Sequence, residues 1–391
     1  MKKYRNYHNL DIKFNTGLIL LEGDNGQGKS NLLEAIYLLA IGKSFRTSSD
    51  RDLIHKDFIS QEAFTSIEAT IKRDHDWVQL QVNISSQSNS PGSLASRSTS
   101  LRTDNESYKL HVQKYILING IKSHTSELVG KLKAVLFSAE DLNLVFGPPS
   151  IRRRYIDILL SQLDPKYLRC LQRYTRIITQ RNHLLKNIRE RNSDPIELNF
   201  WDDQLLEEGK YIIYQRLNTI GELCRLSAPI HKKLAGENES ISLLYEPNID
   251  VREVTTEDTI VRHFSQALKD RRQREIYQGN TISGPHRDNI RLMIDGADAV
   301  SHASRGQSRT LVVSMKMAES EYLSKHHQQK PVLLLDDIFS ELDSARKSHI
   351  LERIRDYEQC FITTTEASDL DTKSLSSISK YVIDSGVITL Q

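Results

Sequence analysis

Two hydrophobic periodicities divide this chain of 391 residues. Near both ends, short apolar runs such as residues 18–21 and 332–335 predict strands that are buried on both faces. Between them, apolar residues recur every three or four positions, which predicts one helix near Ile151, a long helix from Pro165 and a third over residues 200–226. The pattern therefore favours an α/β body built from both chain ends, with an inserted, mainly helical segment.

Shorter patterns fill in the remaining elements. Alternation of apolar and polar residues predicts strands at residues 63–72, 77–84, 115–119, 134–137 and 241–245, and helical spacing returns over residues 257–274. Residues 85–100, which are rich in serine, separate two of these strands and are predicted to form a disordered hairpin insertion.

A phosphate-binding pattern follows the first buried strand. Its glycines allow the backbone to curl so that N–H groups and a helix N-terminus face the phosphates of a nucleotide. Lys29 is expected to reach the β- and γ-phosphates, and Ser30 to supply a ligand for Mg²⁺. The pattern and the first helical residue after it comprise Gly23, Asp24, Asn25, Gly26, Gln27, Gly28, Lys29, Ser30 and Asn31.

Complementary motifs lie beyond residue 300. Asp336 follows a buried strand, where a second Mg²⁺ ligand is expected, and Asp337 stands where a base would orient the attacking water. Thr365 follows the next apolar strand. Upstream, Ser304, Gly306 and Gln307 precede a helical run over residues 308–323. Taken alone, these residues are explained as well by a simple helix N-cap as by a nucleotide-binding motif.

These motifs together resemble the RecF family, within the ABC/SMC-like ATPase superfamily. The resemblance rests on residues 22–39, 42–46, 152–157, 180–182, 284–288 and 335–343, and it spans nearly the whole chain. One departure lies at Arg305, since the signature of this family usually reads Ser-Gln-Gly-Gln-Gln-Arg. An arginine there is expected to alter how tightly the γ-phosphate is gripped across a dimer.

The resemblance implies a fold and a division of the chain. The fold is an ABC-type P-loop ATPase head, of class α/β, built from both chain ends. Residues 1–147 would form the N-terminal part of the ATPase lobe, residues 148–277 a helical arm domain, and residues 278–391 the C-terminal part of the lobe.

The resemblance also implies a mechanism. Two copies would sandwich ATP·Mg²⁺, with Ser304, Gly306 and Gln307 of one copy capping the γ-phosphate bound to the other. Thr365 would stand in the position of the switch histidine of ABC transporters and sense the γ-phosphate through its hydroxyl group. The family binds DNA near junctions of single and double strands and helps to load the recombinase together with RecO and RecR. Asp337 stands where related ATPases usually have glutamate, whose side chain is one methylene longer, so slow hydrolysis is expected. The resemblance also implies that DNA stimulates this hydrolysis.

Composition limits the alternatives. A net charge of +2 does not by itself indicate nucleic-acid binding. No apolar run approaches 18 residues and the N-terminus lacks a signal-peptide pattern, so a cytoplasmic location is expected. The three cysteines, at 170, 224 and 360, show no paired spacing, which argues against a disulfide framework or a zinc site formed by them.

The charge distribution is more informative than its sum. Residues 151–191 contain eleven Lys or Arg against three acidic residues. Arg152, Arg153 and Arg154 are therefore candidate DNA contacts, although pairing with acidic residues of the arm explains them as well. Lys43 and Arg46 follow the P-loop helix and would meet phosphate of either the nucleotide or DNA, with DNA favoured.

Two questions remain open from sequence. The segment at residues 284–288 either contacts DNA or a dimer partner, or forms a turn that anchors the returning chain.

Two alternative functions compete with the one that the resemblance implies, an ABC transporter-type ATPase subunit and a nucleotide-gated scaffold with negligible hydrolysis. The separation of 275 residues between Lys29 and Ser304 counts against the transporter, whose motifs would be closer together.

Overall fold

The computed structural model describes residues 1–58, 63–73, 76–87, 111–250, 256–327, 329–365 and 378–391. Most of the predicted serine-rich insertion lies outside these ranges. None of the described helices is both long and apolar enough to cross a membrane.

The strands, numbered in chain order, are short at the chain ends and longest near residue 80. They are β1 Lys2–Tyr4, β2 Tyr7–Asn9, β3 Gly17–Glu22, β4 Ala63–Arg73, β5 Asp76–Gln87, β6 His111–Ile118, β7 Ile121–Ser123, β8 Ala134–Phe137, β9 Ile241–Glu246, β10 Asn289–Ile294, β11 Ala297–Asp298, β12 Val332–Leu335, β13 Gln359–Thr364, β14 Ile378–Asp384 and β15 Val387–Leu390.

The α-helices concentrate in the middle of the chain. They are α1 Lys29–Ile41, α2 Thr125–Leu128, α3 Asn143–Phe146, α4 Pro149–Leu163, α5 Pro165–Arg189, α6 Leu198–Ala235, α7 Glu257–Gln278, α8 Ala299–His302, α9 Arg305–Lys325 and α10 Ser344–Ile354. Short 3₁₀ turns occur at Lys56–Phe58 and Pro285–Arg287, among other places.

The first compact unit combines both chain ends, Met1–Leu136 and Pro331–Gln391. One of its sheets has the strand order β15-β14-β3-β13-β12-β8, in which β3 runs parallel to β13 and β14, and β12 runs parallel to β13. The carboxyl ends of β3, β12 and β13 therefore meet at one edge of the sheet. The second sheet, β2-β1-β4-β5-β6-β7, is antiparallel.

The second compact unit comprises Phe137–Lys330. Its long helices pack around apolar clusters, one of which joins α6 and α7 through Ile213, Ile260, Phe264 and Leu268. Strands β9, β10 and β11 form a small antiparallel sheet.

The predicted domain boundaries differ from the boundaries of these units. A boundary at 277/278 would cut through the second unit, because β10 pairs with β9 over six residues of each strand. The signature helix α9 also packs in this unit: the Tyr322 and Thr219 hydroxyls are 3.0 Å apart, and Ser314 lies 3.2 Å from His231. Residues 278–330 therefore group with the helical segment, whereas residues 331–391 group with the P-loop.

Candidate nucleotide-binding site

The phosphate-binding pattern forms a tight loop between β3 and α1. Gly28 has a φ of 122°, and a Cβ atom there would lie 2.7 Å from the Asn6 side-chain amide and 2.9 Å from the Tyr7 hydroxyl. Glycine is therefore required both by backbone conformation and by space. Helix α1 begins at the next residue, so its free N–H groups face the loop.

Lys29 is held over this loop. Its ammonium group donates to the carbonyl oxygens of Gly23 and of Asp24, the latter at 2.9 Å. Burial lowers the pKa of Lys29, while the carboxylates of Asp337, Asp336 and Asp24 act in the opposite direction. The amine is thus a cation placed among acidic groups at the mouth of the loop.

Ser30 and Asp336 meet although 306 positions separate them. The Ser30 hydroxyl donates to Asp336 Oδ1 at 2.8 Å, and the Thr363 hydroxyl donates to the same oxygen at 3.0 Å. Burial raises the pKa of Asp336, and these two hydrogen bonds together with the charge of Arg46 oppose the rise. A hydroxyl beside a carboxylate is a set of hard oxygen ligands, which fits Mg²⁺.

Asp337 adopts a backbone conformation that is uncommon outside glycine, with φ of 53°. Its N–H donates to the Thr363 hydroxyl at 2.9 Å and its carbonyl accepts from Ser340 at 2.8 Å. The two hydrogen bonds hold the turn that directs the chain away from β12 directly after the predicted metal ligand.

Lys29, Ser30, Asp337 and Thr363 line a cavity of about 620 Å³ in the first unit. Most of its lining residues have polar side chains, and four of them carry a positive charge, Arg5, Lys29, Arg46 and Lys56. A cavity with these cationic side chains at a helix N-terminus suits a phosphate-bearing ligand. The remaining lining residues are Asn6, Asn25, Gly26, Gly28, Ser30, Asn31, Asp52, Ile54, Asp337 and Thr363.

The N-terminal hairpin, β1 and β2, is hydrogen-bonded to the P-loop. This contact was not predicted from the sequence. The Asn6 amide donates to the carbonyl of Gln27 at 2.7 Å and accepts from Asn31 at 2.8 Å, and the Tyr7 hydroxyl donates to the carbonyl of Gly28 at 3.0 Å. These residues belong to no local motif. Only the folded chain brings them to the P-loop.

Arg46 lies in the cavity wall, whereas Lys43 does not. Arg46 donates to the Asn31 side-chain oxygen at 2.6 Å and is thereby held beside the P-loop helix. Because it lines the cavity, a contact with the nucleotide is favoured over a contact with DNA for this residue. Lys43 is exposed. Between them, Ser44 donates to the buried carboxylate of Glu34, which also accepts from Arg5. This segment is therefore tied to the middle of α1.

The threonine that reaches the site is Thr363, not the predicted Thr365. Thr363 contacts both Asp336 and Asp337, while no hydrogen bond among the described residues joins Thr365 to them. Strand β13 ends at Thr364, so Thr365 stands one residue past the sheet, half-buried. A sensing role for Thr365 remains a prediction.

The signature residues lie in the second unit. Ser304 caps α9: its hydroxyl accepts the Gln307 N–H at 3.2 Å, and the Gln307 side chain accepts the Ser304 N–H at 2.9 Å. Gln307 also donates to Glu239 at 2.7 Å. Ser304, Arg305 and Gly306 are exposed, so they are free to contact another molecule.

The three consecutive arginines of α4 have different environments. Arg152 is 6% exposed and donates to the carbonyl of Gly147 at 2.9 Å and to the Asn289 side chain at 2.9 Å. Because these donors are used inside the protein, the contacts favour an internal role for Arg152 over the predicted DNA contact, which stays a prediction. Arg153 donates to the carbonyl of Asp288 at 2.6 Å, whereas Arg154 is exposed.

The segment at residues 284–288 has an internal role. The Arg216 guanidinium, 3% exposed, donates to the Pro285 carbonyl at 2.7 Å and pairs with Asp288 at 3.2 Å and Asp157 at 2.8 Å. His286 is hydrogen-bonded to Tyr174 at 2.8 Å. These contacts favour the alternative of a turn that anchors the returning chain, although Arg287 is exposed.

Known proteins match the chain over almost its entire length. The model of the RecF/RecN/SMC N-terminal domain matches residues 1–384. The DNA replication and repair protein RecF of Bacillus cytotoxicus is 35% identical over 99% of this chain and 96% of that protein, and RecF of Bacillus mycoides gives the same identity and coverage.

Solved structures agree with this result. A structure described as the recombination mediator protein RecF-ATP in the RecFOR pathway matches with a TM-score of 0.85 and 31% identity, covering 100% of this chain and 95% of that one. An Smc head domain from Pyrococcus furiosus matches at 16% identity with a TM-score of 0.53, covering 100% of this chain and 94% of that one, which shows a shared ABC-ATPase head fold. The α/β fold predicted from sequence is thereby confirmed. The chain belongs to the RecF family of DNA replication and repair proteins.

Proposed function

We propose that this chain is an ATP-dependent DNA-binding protein of recombinational repair and replication restart. The observation that carries the proposal is the hydrogen bond between Ser30 and Asp336, at 2.8 Å. It brings the P-loop and the acidic strand end into one site, beside Lys29. The names of the relatives, which are DNA replication and repair proteins, support the same function and give no support to a transporter subunit.

Each residue of the site has a proposed task. Lys29 neutralises the β- and γ-phosphates, and the loop N–H groups hold the phosphate oxygens. Ser30 and Asp336 would hold Mg²⁺, which would offset the negative charge of the phosphates. Asp337 orients the attacking water, and Arg46 adds a further positive charge at the cavity wall.

The site of a single copy is proposed to be incomplete. Ser304, Gly306 and Gln307 lie in the unit that does not contain the P-loop, at the exposed start of α9. In a dimer, these residues of one copy would cap the γ-phosphate held by the other. Hydrolysis would remove the charge that bridges the copies and let them separate, so ATP would time a clamp on DNA.

The proposed DNA contact is to phosphate groups and independent of sequence. Lys43, Arg46 and Arg154 are the exposed members of the predicted set, and of these Arg46 lines the nucleotide cavity. We propose binding near junctions of single- and double-stranded DNA, and assembly with RecO and RecR to load the recombinase. The description of a matched structure as a mediator in the RecFOR pathway supports these partners.

Steady-state ATP hydrolysis, measured with and without a gapped duplex, tests this function. Slow turnover that rises with DNA is expected, with loss of ATP binding in Lys29→Ala and normal ATP binding in the matched control Lys43→Ala. Hydrolysis that is unaffected by DNA, together with no DNA binding in the presence of ATP, would contradict the proposal. ATP binding and DNA binding without measurable hydrolysis would instead identify a nucleotide-gated scaffold.

A further inference from the structure

A chain of hydrogen bonds runs from the exposed signature into the interior of the second unit. The Gln307 side-chain amide donates to Glu239 Oε2 at 2.7 Å. Glu239 Oε1 lies 2.7 Å from His231 Nε2, and His231 Nδ1 lies 3.2 Å from the Ser314 hydroxyl. Glu239 therefore connects the start of α9 with a histidine of α6 that is 0% exposed.

Both ends of the Gln307 side-chain amide are engaged within the protein. Its oxygen accepts the Ser304 N–H at 2.9 Å, while its nitrogen donates to Glu239. The Ser304 hydroxyl in turn accepts the Gln307 N–H at 3.2 Å. Because a long amide side chain has several rotamers, the contact with Glu239 selects the rotamer in which the amide oxygen faces Ser304. Glu239 thereby acts on the exposed Ser304 through Gln307.

The hydrogen bonds of His231 determine where its protons lie. The Ser314 hydroxyl donates to the Thr310 carbonyl at 2.7 Å, so it accepts from His231, and Nδ1 carries a hydrogen. The contact between Nε2 and Glu239 also requires a hydrogen between the two atoms, since two lone pairs would repel each other. The ring and the carboxylate therefore share a proton. This proton offsets the charge of Glu239 beside the place where an anionic phosphate is proposed to bind.

The backbone that carries Glu239 is itself anchored. Glu239 belongs to the connection between α6 and β9, and its side chain is 17% exposed. The next residue, Ser240, donates from its N–H and its hydroxyl to Asp295 Oδ1 at 2.8 and 3.0 Å, and its carbonyl accepts the Asp295 N–H at 2.9 Å. The Glu239 carboxylate is thus held from two sides, by His231 and by the anchored connection.

We propose that Glu239 is a positioning residue of the signature: it fixes Gln307, which holds Ser304 in the orientation that caps the γ-phosphate of a second copy. This inference rests on the proposed ATP-dependent dimer. It gives Gln307 a task within its own copy, in addition to the proposed contact with the γ-phosphate. Side chains that are already ordered before the copies meet lower the entropic cost of closing the site.

Sedimentation with ATP·Mg²⁺ over a range of protein concentrations gives the dimerisation constant and tests the proposal. Glu239→Ala is expected to weaken dimerisation by about tenfold or more, because each site loses a hydrogen bond to a charged group. Binding of a fluorescent ATP analogue to the single copy should be unchanged, since the P-loop lies in the other unit. The matched control is Glu237→Ala, which removes an exposed acid from the same connection and should dimerise as the wild type does.

Two further substitutions at the same position separate reach from charge. In Glu239→Gln, the amide oxygen can accept from Gln307 and the amide nitrogen can donate to a neutral His231, so both contacts persist and dimerisation should be close to that of the wild type. Glu239→Asp keeps the charge, but its side chain is one methylene shorter and cannot span the same two partners. It should weaken dimerisation in the same direction as Glu239→Ala.

A double-mutant cycle tests whether Glu239 acts through Gln307. In a Gln307→Ala background, Glu239→Ala should cause no further loss of dimerisation. Thermal unfolding of each variant verifies that the second unit is folded, and Glu239→Asp and Gln307→Ala supply the comparison if Glu239→Ala is not.

Three results would overturn the inference and leave the dimer in place. They are wild-type dimerisation in Glu239→Ala, a defect in Glu239→Gln as large as that in Glu239→Ala, and an undiminished effect of Glu239→Ala in the Gln307→Ala background. A wild-type protein that stays monomeric with ATP·Mg²⁺ would overturn the proposed dimer, and this inference with it.

Discussion

At the scale of single residues, Asp337 is the least ordinary member of the site. It combines a left-handed backbone with a position in the cavity wall, next to the predicted metal ligand. Strained backbone of this kind persists only where the surroundings determine it, here through the hydroxyls of Thr363 and Ser340. The backbone conformation fixes the point from which the Asp337 side chain extends. The role of its carboxylate can therefore be tested by a substitution that keeps the shape of the side chain.

Asp337→Asn is expected to retain ATP and to hydrolyse it about 10²–10⁴-fold more slowly, because the amide cannot accept a proton from the attacking water. ATP binding and single-turnover hydrolysis would be measured on the same sample. The matched control is Asp52→Asn, a second acid of the cavity wall. Unchanged hydrolysis in Asp337→Asn would exclude this carboxylate as the group that orients water.

The sequence predicted those site residues that belong to a short local motif. The P-loop pattern located Lys29 and Ser30, and a buried strand located Asp336. It did not predict Asn6 or Thr363, because neither belongs to a motif and each reaches the site only through pairing of distant strands. The burial of Arg152 was not predicted either, because a run of charged residues does not reveal which of its members face inward.

At the scale of elements, the turn at Pro285–Arg287 is held by hydrogen bonds to buried polar groups. His286 donates from Nε2 to the Thr281 carbonyl at 3.0 Å and accepts from the Tyr174 hydroxyl at Nδ1. Burial lowers the pKa of His286 to about 4 from an ordinary value of 6.5. The neutral ring is therefore the form that fits this turn.

This shift predicts a loss of stability in mild acid. The unfolded chain takes up a proton below pH 6.5, whereas folded His286 does so only below about pH 4, so stability falls as the pH drops through this window. The contribution is about 2 kcal/mol between pH 7 and pH 5. Urea unfolding at both pH values should show a smaller loss in His286→Gln than in wild type.

The exposed His263 provides the control for that experiment. His263→Gln should show the same dependence on pH as the wild type. If His286→Gln loses as much stability between pH 7 and pH 5 as the wild type does, the buried neutral ring is not the cause.

The start of a helix could be predicted where the sequence contains a recognisable helix cap. Helix α5 begins at Pro165 after Asp164, whose carboxylate accepts the Lys166 N–H, and the sequence predicted this start. Helix α6 was predicted to end at 226, yet it continues through Pro229 to Ala235. Burial of Ile230 and Leu234 outweighs the helix-breaking tendency of the proline, and such tertiary packing is not visible in a local pattern.

At the scale of the whole molecule, the chain forms two compact units that divide the proposed ATPase motifs between them. The P-loop, Asp336 and Asp337 lie in one unit, and the signature residues lie in the other. The sequence predicted a head made from both chain ends, but not that residues 278–330 would group with the helices. That grouping depends on the pairing of β9 with β10 and on the packing of α9, which join segments far apart in the chain.

DNA binding depends on the summed charge of the side chains that contact the phosphate groups. Arg154→Ala is expected to weaken DNA binding and to reduce the slope of log affinity against log salt by about one, since one phosphate contact is lost. Binding to a gapped duplex would be measured across a salt series with ATP. Lys122→Ala, an exposed cation in β7, is the control, and an unchanged slope in Arg154→Ala would remove this residue from the proposed surface.

In the proposed dimer, ATP joins two copies through a site that each copy completes for the other. Sedimentation without nucleotide, with ADP and with ATP·Mg²⁺ tests this arrangement, using the wild type, Lys29→Ala and Ser304→Arg. The wild type is expected to be a dimer with ATP·Mg²⁺ and a monomer in the other two conditions. Lys29→Ala should fail to bind ATP, whereas Ser304→Arg should bind ATP and remain monomeric. Dimerisation of Lys29→Ala with ATP, or loss of ATP binding in Ser304→Arg, would show that the two copies do not share the site in this way.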